Sequence, residues 1–231
     1  IKLYENNNLH RGIPKRELYE YEYVDIAHNA QLVIQQMITA IFNVAREYSE
    51  NICYGGGVAL NCVANAELYK NYNLWIMPNP GDAGASLGAA ALAYGSRLNW
   101  VSPFLGRNID THIDPNAVVN YLLEHKMCGV ANGPAEFGPR ALGNRSLLAD
   151  PRGADIKDLV NTVKKRQLFR PFAPAILEEH AHKYFAGNLT KYMQATAKCI
   201  YPDQFPGIVH VDGTSRVQVV SKDEPTILRQ I

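Results

Sequence analysis

The chain has 231 residues, 47% of them apolar and 19% charged, with a formal net charge of +1. That length suffices for one large domain or two modest ones, and the apolar content is that of a globular protein. A charge near zero excludes a global nucleic-acid or membrane-surface signal, so any basic site must be local.

Residues 1–24 are polar and rich in tyrosine, with Pro14 and little periodicity, and read as an irregular lead-in. Tyr4, Tyr19, Tyr21 and Tyr23 could stack on a sugar or a base, or simply pack. From Asp25 to Tyr48 the spacing predicts a helix, with Ile26, Ala30, Val33, Ile34, Met37, Ile38, Ile41 and Val44 on one stripe and Asp25 as N-cap. His28, in its first turn, reads as a surface or cap histidine. Asn51–Tyr54 is a predicted strand, followed by Gly55-Gly56-Gly57 and a helix from about Ala59 to Lys70. Strand, glycines and helix in that order suit a nucleotide, because glycines let backbone approach closely and a helix start offers free N–H groups. The run lacks the Gly-Lys-Ser/Thr ending of a P-loop and the third glycine of the dinucleotide fingerprint. The pattern recurs in Leu74–Met77, the tight loop PNPGDAG (78–84) and a small-residue helix, Ala85–Tyr94, expected to pack closely. Asp82 at that junction suits either a helix cap or a metal ligand.

Asn99–Asp114 reads as a linker, then Asn116–His125 as a helix and Met127–Ala131 as a buried strand. The segment EFGPRALGNRSLLADPRGADIKDLVNTVKKRQLFRPFAP (136–174) carries Arg140, Arg145, Lys164, Arg166 and Arg170. They are interleaved with Phe137, Leu142, Phe169 and Phe172, which favour burial. An arginine held among apolar residues must meet an anion or bear a large desolvation cost, and its planar fork of donors suits phosphate or carboxylate. Two readings stand level: a pocket for a small, highly charged anion, or internal salt bridges to Glu136, Asp150 and Asp155. Asp155–Arg166 should be helical with Ile156, Leu159, Val160 and Val163 inward, and Ala175–Phe185 helical too. In IVHVDGTSRVQVV (208–220), two strand-like runs flank Gly213. Alternation there sets His210, Asp212, Thr214 and Arg216 on one face, read as a ligand face.

No apolar run approaches a membrane span, and no signal peptide is read at the start. Cys53, Cys62, Cys128 and Cys199 show no CxxC spacing. Cys53 and Cys128 lie in apolar runs and are expected to be reduced core residues, which points to the cytoplasm. The chain opens at Ile1 without a methionine and closes after a strand-like run, so it reads as a piece of a longer protein.

Five stretches carry a resemblance: GGGVALNCVAN (55–65), PGDAGASLGAA (80–90), EFGPRALGNRSLLADPR (136–152), VKKRQLFRPFAP (163–174) and HVDGTSRVQ (210–218). Together, and in this order, they resemble the carbamoyltransferases of the nodulation-protein-U type, from about residue 25 to the end. That resemblance implies an α/β fold, with an α+β second part. Residues 1–98 would be the C-terminal lobe of an actin-like ATPase (ASKHA) domain, 99–114 a linker, and 115–231 a YrdC-like domain truncated at its C-terminus. The second domain would form carbamoyl-adenylate and pyrophosphate from ATP and carbamoyl phosphate. The first would pass the carbamoyl group to an acceptor hydroxyl on a sugar, nucleoside or secondary metabolite, with help from a divalent metal, iron, and with Mg on ATP.

By the same resemblance, Arg140, Arg145, Lys164, Arg166, Arg170 and Arg216 would clamp phosphates and the carbamoyl group. Gly56, Gly57, Val58 and Asn61, with Asn144 and Ser146, would hold ATP, and Asp82 would be a metal ligand. No membrane or nucleic-acid partner is expected. Two family features are absent: an HxxxH pair, matched by none of the seven histidines, and a closing LLNTSFN-like strand. The transfer site is therefore expected to be incomplete. A sugar kinase of the actin-like superfamily is the first alternative and predicts ADP as product. A non-catalytic scaffold is the second and predicts ATP binding without pyrophosphate release.

Overall fold

The computed structural model describes residues 23–110 and 112–231, so the lead-in 1–22, with Tyr4, Tyr19 and Tyr21, lies outside the described residues. The chain divides into two compact units, 1–50 and 51–231. In the first, helix α1 (Tyr23–Arg46) begins two residues before the expected cap, leaving Asp25 in the first turn, where a carboxylate favours the helix dipole. Ile38 and Phe42, one turn apart, are its buried residues, whereas Met37, Ile41 and Val44 of the expected stripe are exposed. His28 is exposed, as expected.

The second unit opens with strand β1 (Asn51–Tyr54), which runs parallel to β2 (Asn73–Ile76) in the register Asn51 to Asn73 and Tyr54 to Ile76. The crossover holds the glycines, a 3₁₀ turn (Gly57–Leu60) and helix α2 (Cys62–Asn71). The Asn61 side chain caps α2 by accepting from the Ala64 N–H at 3.1 Å, which fixes the helix two to three residues later than the apolar pattern suggests. Helix α3 (Ala85–Tyr94) ends on Gly95 in the left-handed region. No residue of α3 is buried, so the close packing expected of its small side chains is not met among the described residues. Asp82 heads a short 3₁₀ turn whose N-cap is Gly81, while Gly84 caps α3, so Asp82 does not serve as the helix cap.

The stretch from Asn99 to Asp114 is folded against the unit. Phe104 packs with Leu142 and Met193, and β3 (Asn108–Ile109) pairs antiparallel with β5 (Gly133–Pro134). Helix α4 (Pro115–His125) is capped by Asp114 and leads into β4 (Met127–Ala131), which pairs antiparallel with β6 (Arg145–Ala149). Only Val130 of β4 is buried, and Cys128 is partly exposed, where a buried strand was expected. Cys53 is exposed too, because β1 is half-covered rather than central. All four cysteines are free.

Helix α5 (Ile156–Val163) turns Ile156 and Val160 inward and leaves Leu159 and Val163 exposed. Beyond it the expected helix over 175–185 breaks into three pieces: strand β7 (Ala175–Leu177), a 3₁₀ turn and helix α6 (Ala181–Tyr184). The cause is long-range pairing, because β7 runs parallel to β11 (Gln218–Val220). Strands β8 (Phe185–Gly187), β9 (Ala197–Cys199) and β10 (Thr214–Ser215) form a three-stranded antiparallel sheet. Ala181, Phe185, Ala197, Cys199, Ile208, Val217 and Val219 make the core beneath it. The architecture is mixed helix and small sheets, an α/β class. No helix among the described residues is long and apolar enough to cross a membrane.

Candidate anion-binding site

Two glycine-bearing loops form one wall. The Gly56 N–H donates to Pro80 O at 2.7 Å, which stitches the loop after β1 to the loop after β2. Gly56 takes a φ of +94°, a conformation that suits glycine. A side chain built on Gly55, Gly56 or Gly57 would meet nothing, so this backbone faces open space, as a ledge for a ligand must. Gly84 is different: a Cβ there would lie 1.8 Å from Asn79 O, so it serves the turn.

A clasp from the second half of the chain holds this wall. The Asn65 amide donates to Ala59 O and to Gln194 O, both at 2.8 Å. The Gln194 amide donates to Ile76 O at 2.6 Å, Asn188 to Ala66 O at 3.2 Å, and the Thr196 N–H to Cys62 O at 3.3 Å. A narrow crevice between wall and clasp is lined by Ala59, Leu60, Pro78, Arg140, Tyr192 and Gln194, among others. Arg140 thus reaches the glycine loops, a juxtaposition the linear sequence does not display.

The six predicted cations separate into three kinds. Arg140 and Arg166 both act through space on Arg216, Cys62 acts on Arg140 and Arg216 in the opposite sense, and none of the three arginines has a carboxylate partner among the described residues. Burial is the main cause that lowers the Arg216 guanidinium to about 10, and the charges of Arg140 and Arg166 add to it. Its Nε is buried without a hydrogen-bond partner. Burial likewise lowers Arg140. Arg166 is lowered by burial and then by the charge of Arg170. It stacks 4.6 Å over the Phe172 ring, while its Nε donates to Asn161 Oδ1.

Arg145 is satisfied instead by backbone, donating to Asn132 O (3.0 Å), Gly133 O (3.2 Å), Asn144 O (2.7 Å) and Arg107 O (2.7 Å). Lys164 and Arg170 are exposed. Among the described residues the salt-bridge alternative is not realised for any of the five cations of segment 136–174. Asp150 is taken by Arg152 at 2.8 Å and Lys126 at 3.4 Å, chiefly the Arg152 hydrogen bond holding its carboxyl down to about 2. The Glu136 carboxylate faces backbone: its Oε1 accepts from the N–H groups of Leu142 (2.7 Å), Asn144 (2.8 Å) and Arg145 (3.2 Å).

The other predicted residues fall as follows. Asn144 is fully buried and its amide is spent on Pro134 O and Pro225 O, while Ser146 Oγ accepts from the Gly143 N–H. Val58 is half exposed beside the glycines. His210 and Asp212 sit exposed in a turn, and Val211 is 94% exposed, so the expected alternating face does not form there. Of that set Arg216 alone joins the cluster. Asp82 is exposed. Among the described residues no group of three or more His, Cys, Asp or Glu is placed to hold a metal, so these residues by themselves do not make a metal centre.

Three residues of structural weight carry weak sequence signals or none. Asn161, fully buried beside Val160, ties the basic loop by donating to Leu168 O and Arg170 O at 3.1 and 2.9 Å. A polar residue next to the inward face of α5 is the only hint of it. Asn65 offers the same hint on α2. Glu224 offers none: both carboxylate oxygens are buried without a partner, in the field of Lys191, Glu178 and the crevice-lining Tyr192. Burial, with Glu178 adding to it against Lys191, pushes its carboxyl up to about 7. A carboxyl raised on folding favours the native state fully below its unfolded value of about 4.5, and that contribution is lost as pH rises to about 7. The melting temperature is therefore expected to fall across that window and then level off. Glu224→Gln should flatten the fall; an identical pH profile in the variant would show that another group is responsible.

Comparison with known families gives two matches: Carbamoyltransferase N-terminus over residues 1–91 and Carbamoyltransferase C-terminus over residues 119–231. Nodulation protein NolO of Bradyrhizobium diazoefficiens is 32% identical over 92% of this chain and 45% of its own length. Nodulation protein U of Sinorhizobium fredii is 31% identical over 84% of this chain and 38% of its own. An uncharacterized protein of Synechocystis sp. is 32% identical over 91% and 44% respectively. The chain thus spans less than half the length of each of these relatives.

Proposed function

The chain belongs to the carbamoyltransferase family, and from that premise we propose that it is part of an ATP-dependent O-carbamoyltransferase. Carbamoyl phosphate, water and ATP give carbamoyl-adenylate, with release of pyrophosphate and phosphate. An acceptor hydroxyl on a sugar, nucleoside or secondary metabolite then attacks the carbamoyl carbon, and AMP leaves. The observation that carries this reading is the trio Arg140, Arg166 and Arg216. It is partly buried and has no carboxylate partner among the described residues, and its member Arg140 lines a crevice with the two glycine-bearing loops, where Gly55, Gly56 and Gly57 face open space.

A partly buried Arg216 in the field of Arg140 and Arg166, with no carboxylate beside it among the described residues, is costly in the ligand-free protein. Phosphate oxygens remove that cost, and the cost is removed most where negative charge develops during transfer. Arg170 acts on Arg166 through space, and it and Lys164, both exposed, would guide an anion inward. Gly56, Gly57, Val58 and Asn61 would receive the adenosine part. Asn144, Ser146 and Arg145 hold the loop that presents Arg140. We assign residues 1–98 to an actin-like ATPase lobe and 115–231 to a YrdC-like domain on the family resemblance. Asp82 would supply one ligand of the family's metal, iron, and Mg would accompany ATP. Four free cysteines agree with a cytoplasmic setting.

The test is pyrophosphate release from ATP by the protein carrying this chain, with and without carbamoyl phosphate, beside Arg140→Ala. Release that requires carbamoyl phosphate and is lost in the variant is the expected result. ADP as the product would replace this reading with a kinase.

A further inference from the structure

The Glu136 carboxylate lies in the most basic stretch of the chain, yet it pairs with no arginine. Its Oε1 takes three backbone N–H groups in a row of four residues, from Leu142, Asn144 and Arg145. Such a set of converging amides is a ready-made anion cradle. Here the cradle is filled by the protein's own carboxylate, which closes residues 136–145 into a ring. The ring is braced elsewhere. The Phe137 N–H donates to Pro103 O at 2.6 Å, and Gly138 lies against Pro78 and Asn79 of the glycine wall. Gly143, at a φ of +121°, is packed against Leu228 and Thr226.

Arg140 is near the middle of this ring, and its side chain lines the crevice. Among the described residues no carboxylate pairs with Arg140, and the ring fixes the backbone from which its side chain extends. We propose that Glu136 is a positioning residue: its charge closes the ring that aims Arg140 at the incoming phosphate. This rests on the reading that the arginine trio receives phosphate. It also assigns the amide cradle to the protein itself, which leaves the arginines and the glycine ledge to bind the ligand.

A double-mutant cycle tests this, with inorganic pyrophosphate as the probe and calorimetry as the readout on the protein carrying this chain. Glu136→Gln keeps an acceptor oxygen of the same reach, so the variant should fold. Losing a charge-assisted set of hydrogen bonds should weaken pyrophosphate binding about tenfold. Arg140→Ala should weaken it about a hundredfold, and the double variant no further than Arg140→Ala alone, since a positioning effect needs its target. Effects that multiply, or Glu136→Gln binding as tightly as the parent, would overturn the proposal. Should Glu136→Gln unfold, Glu136→Asp put through the same cycle decides in its place. If the cycle behaves as expected but carbamoyl phosphate drives no pyrophosphate release, the reaction assignment fails while the role of Glu136 stands.

Discussion

Arg216→Met yields a protein that is more stable than its parent without ligand and binds pyrophosphate about a hundredfold more weakly. The two effects have one cause. Arg216 is the guanidinium most strongly lowered by its surroundings, first by burial and then by Arg140 and Arg166. Its Nε is buried with nothing to bond. Replacing a buried, uncompensated ion by an apolar side chain of similar reach removes both desolvation and repulsion, and the gain is about 1 kcal/mol or more. The same replacement takes one of three donors from a phosphate. Differential scanning calorimetry and pyrophosphate titration on one preparation read both quantities. A variant that is less stable and still binds would mean that Arg216 is held by a partner and has no share in the anion site. Site residues that strain the resting protein are a recurring compromise between stability and function.

Asn65→Ala is expected to destabilise the unit 51–231 by about 2–4 kcal/mol, through two orphaned carbonyls and a cavity. Asn65 is fully buried, and its amide bonds Ala59 O in the glycine loop and Gln194 O in the clasp. Both carbonyls are left without their donor in the variant. The loss reaches the site, because Ala59 and Gln194 line the crevice with Arg140. Denaturant unfolding gives the magnitude, and hydrogen exchange at the glycine loop shows whether the clasp has opened. A change below about 0.5 kcal/mol, the range of ordinary surface substitutions, would mean that the two halves are held by other contacts.

How much of this was legible in the sequence depends on the reach of each interaction. Strand β1 and helix α3 fall on their predicted residues, because glycines and apolar runs bound them locally. The segment 175–185 does not, because its first residues are claimed by β11, more than forty positions away. Val211 alternates with its neighbours in sequence, yet Asp212 bonds the Thr214 N–H and hydroxyl and turns the chain.

The basic segment shows the same limit. Charge spacing singles out Arg140, Arg145, Lys164, Arg166 and Arg170 as a group but cannot rank them. Arg145 is separated from the rest by carbonyls at 107, 132, 133 and 144, which only the folded chain gathers. Arg216 joins Arg140 and Arg166 from the short link between β10 and β11, remote in sequence. Glu136 was visible as an acid among cations and so suggested an ion pair. Its actual partners are amides, which carry no signal in composition.

The phosphate site proposed above consists of Arg140, Arg166 and Arg216. An experimental structure with carbamoyl phosphate bound tests it most directly. The phosphate oxygens are expected within hydrogen-bond distance of these three guanidinium groups, with the Glu136 ring closed. A phosphate seated on the amides of Leu142, Asn144 and Arg145, with Glu136 displaced, or one bound by Lys164 and Arg170 alone, would contradict it.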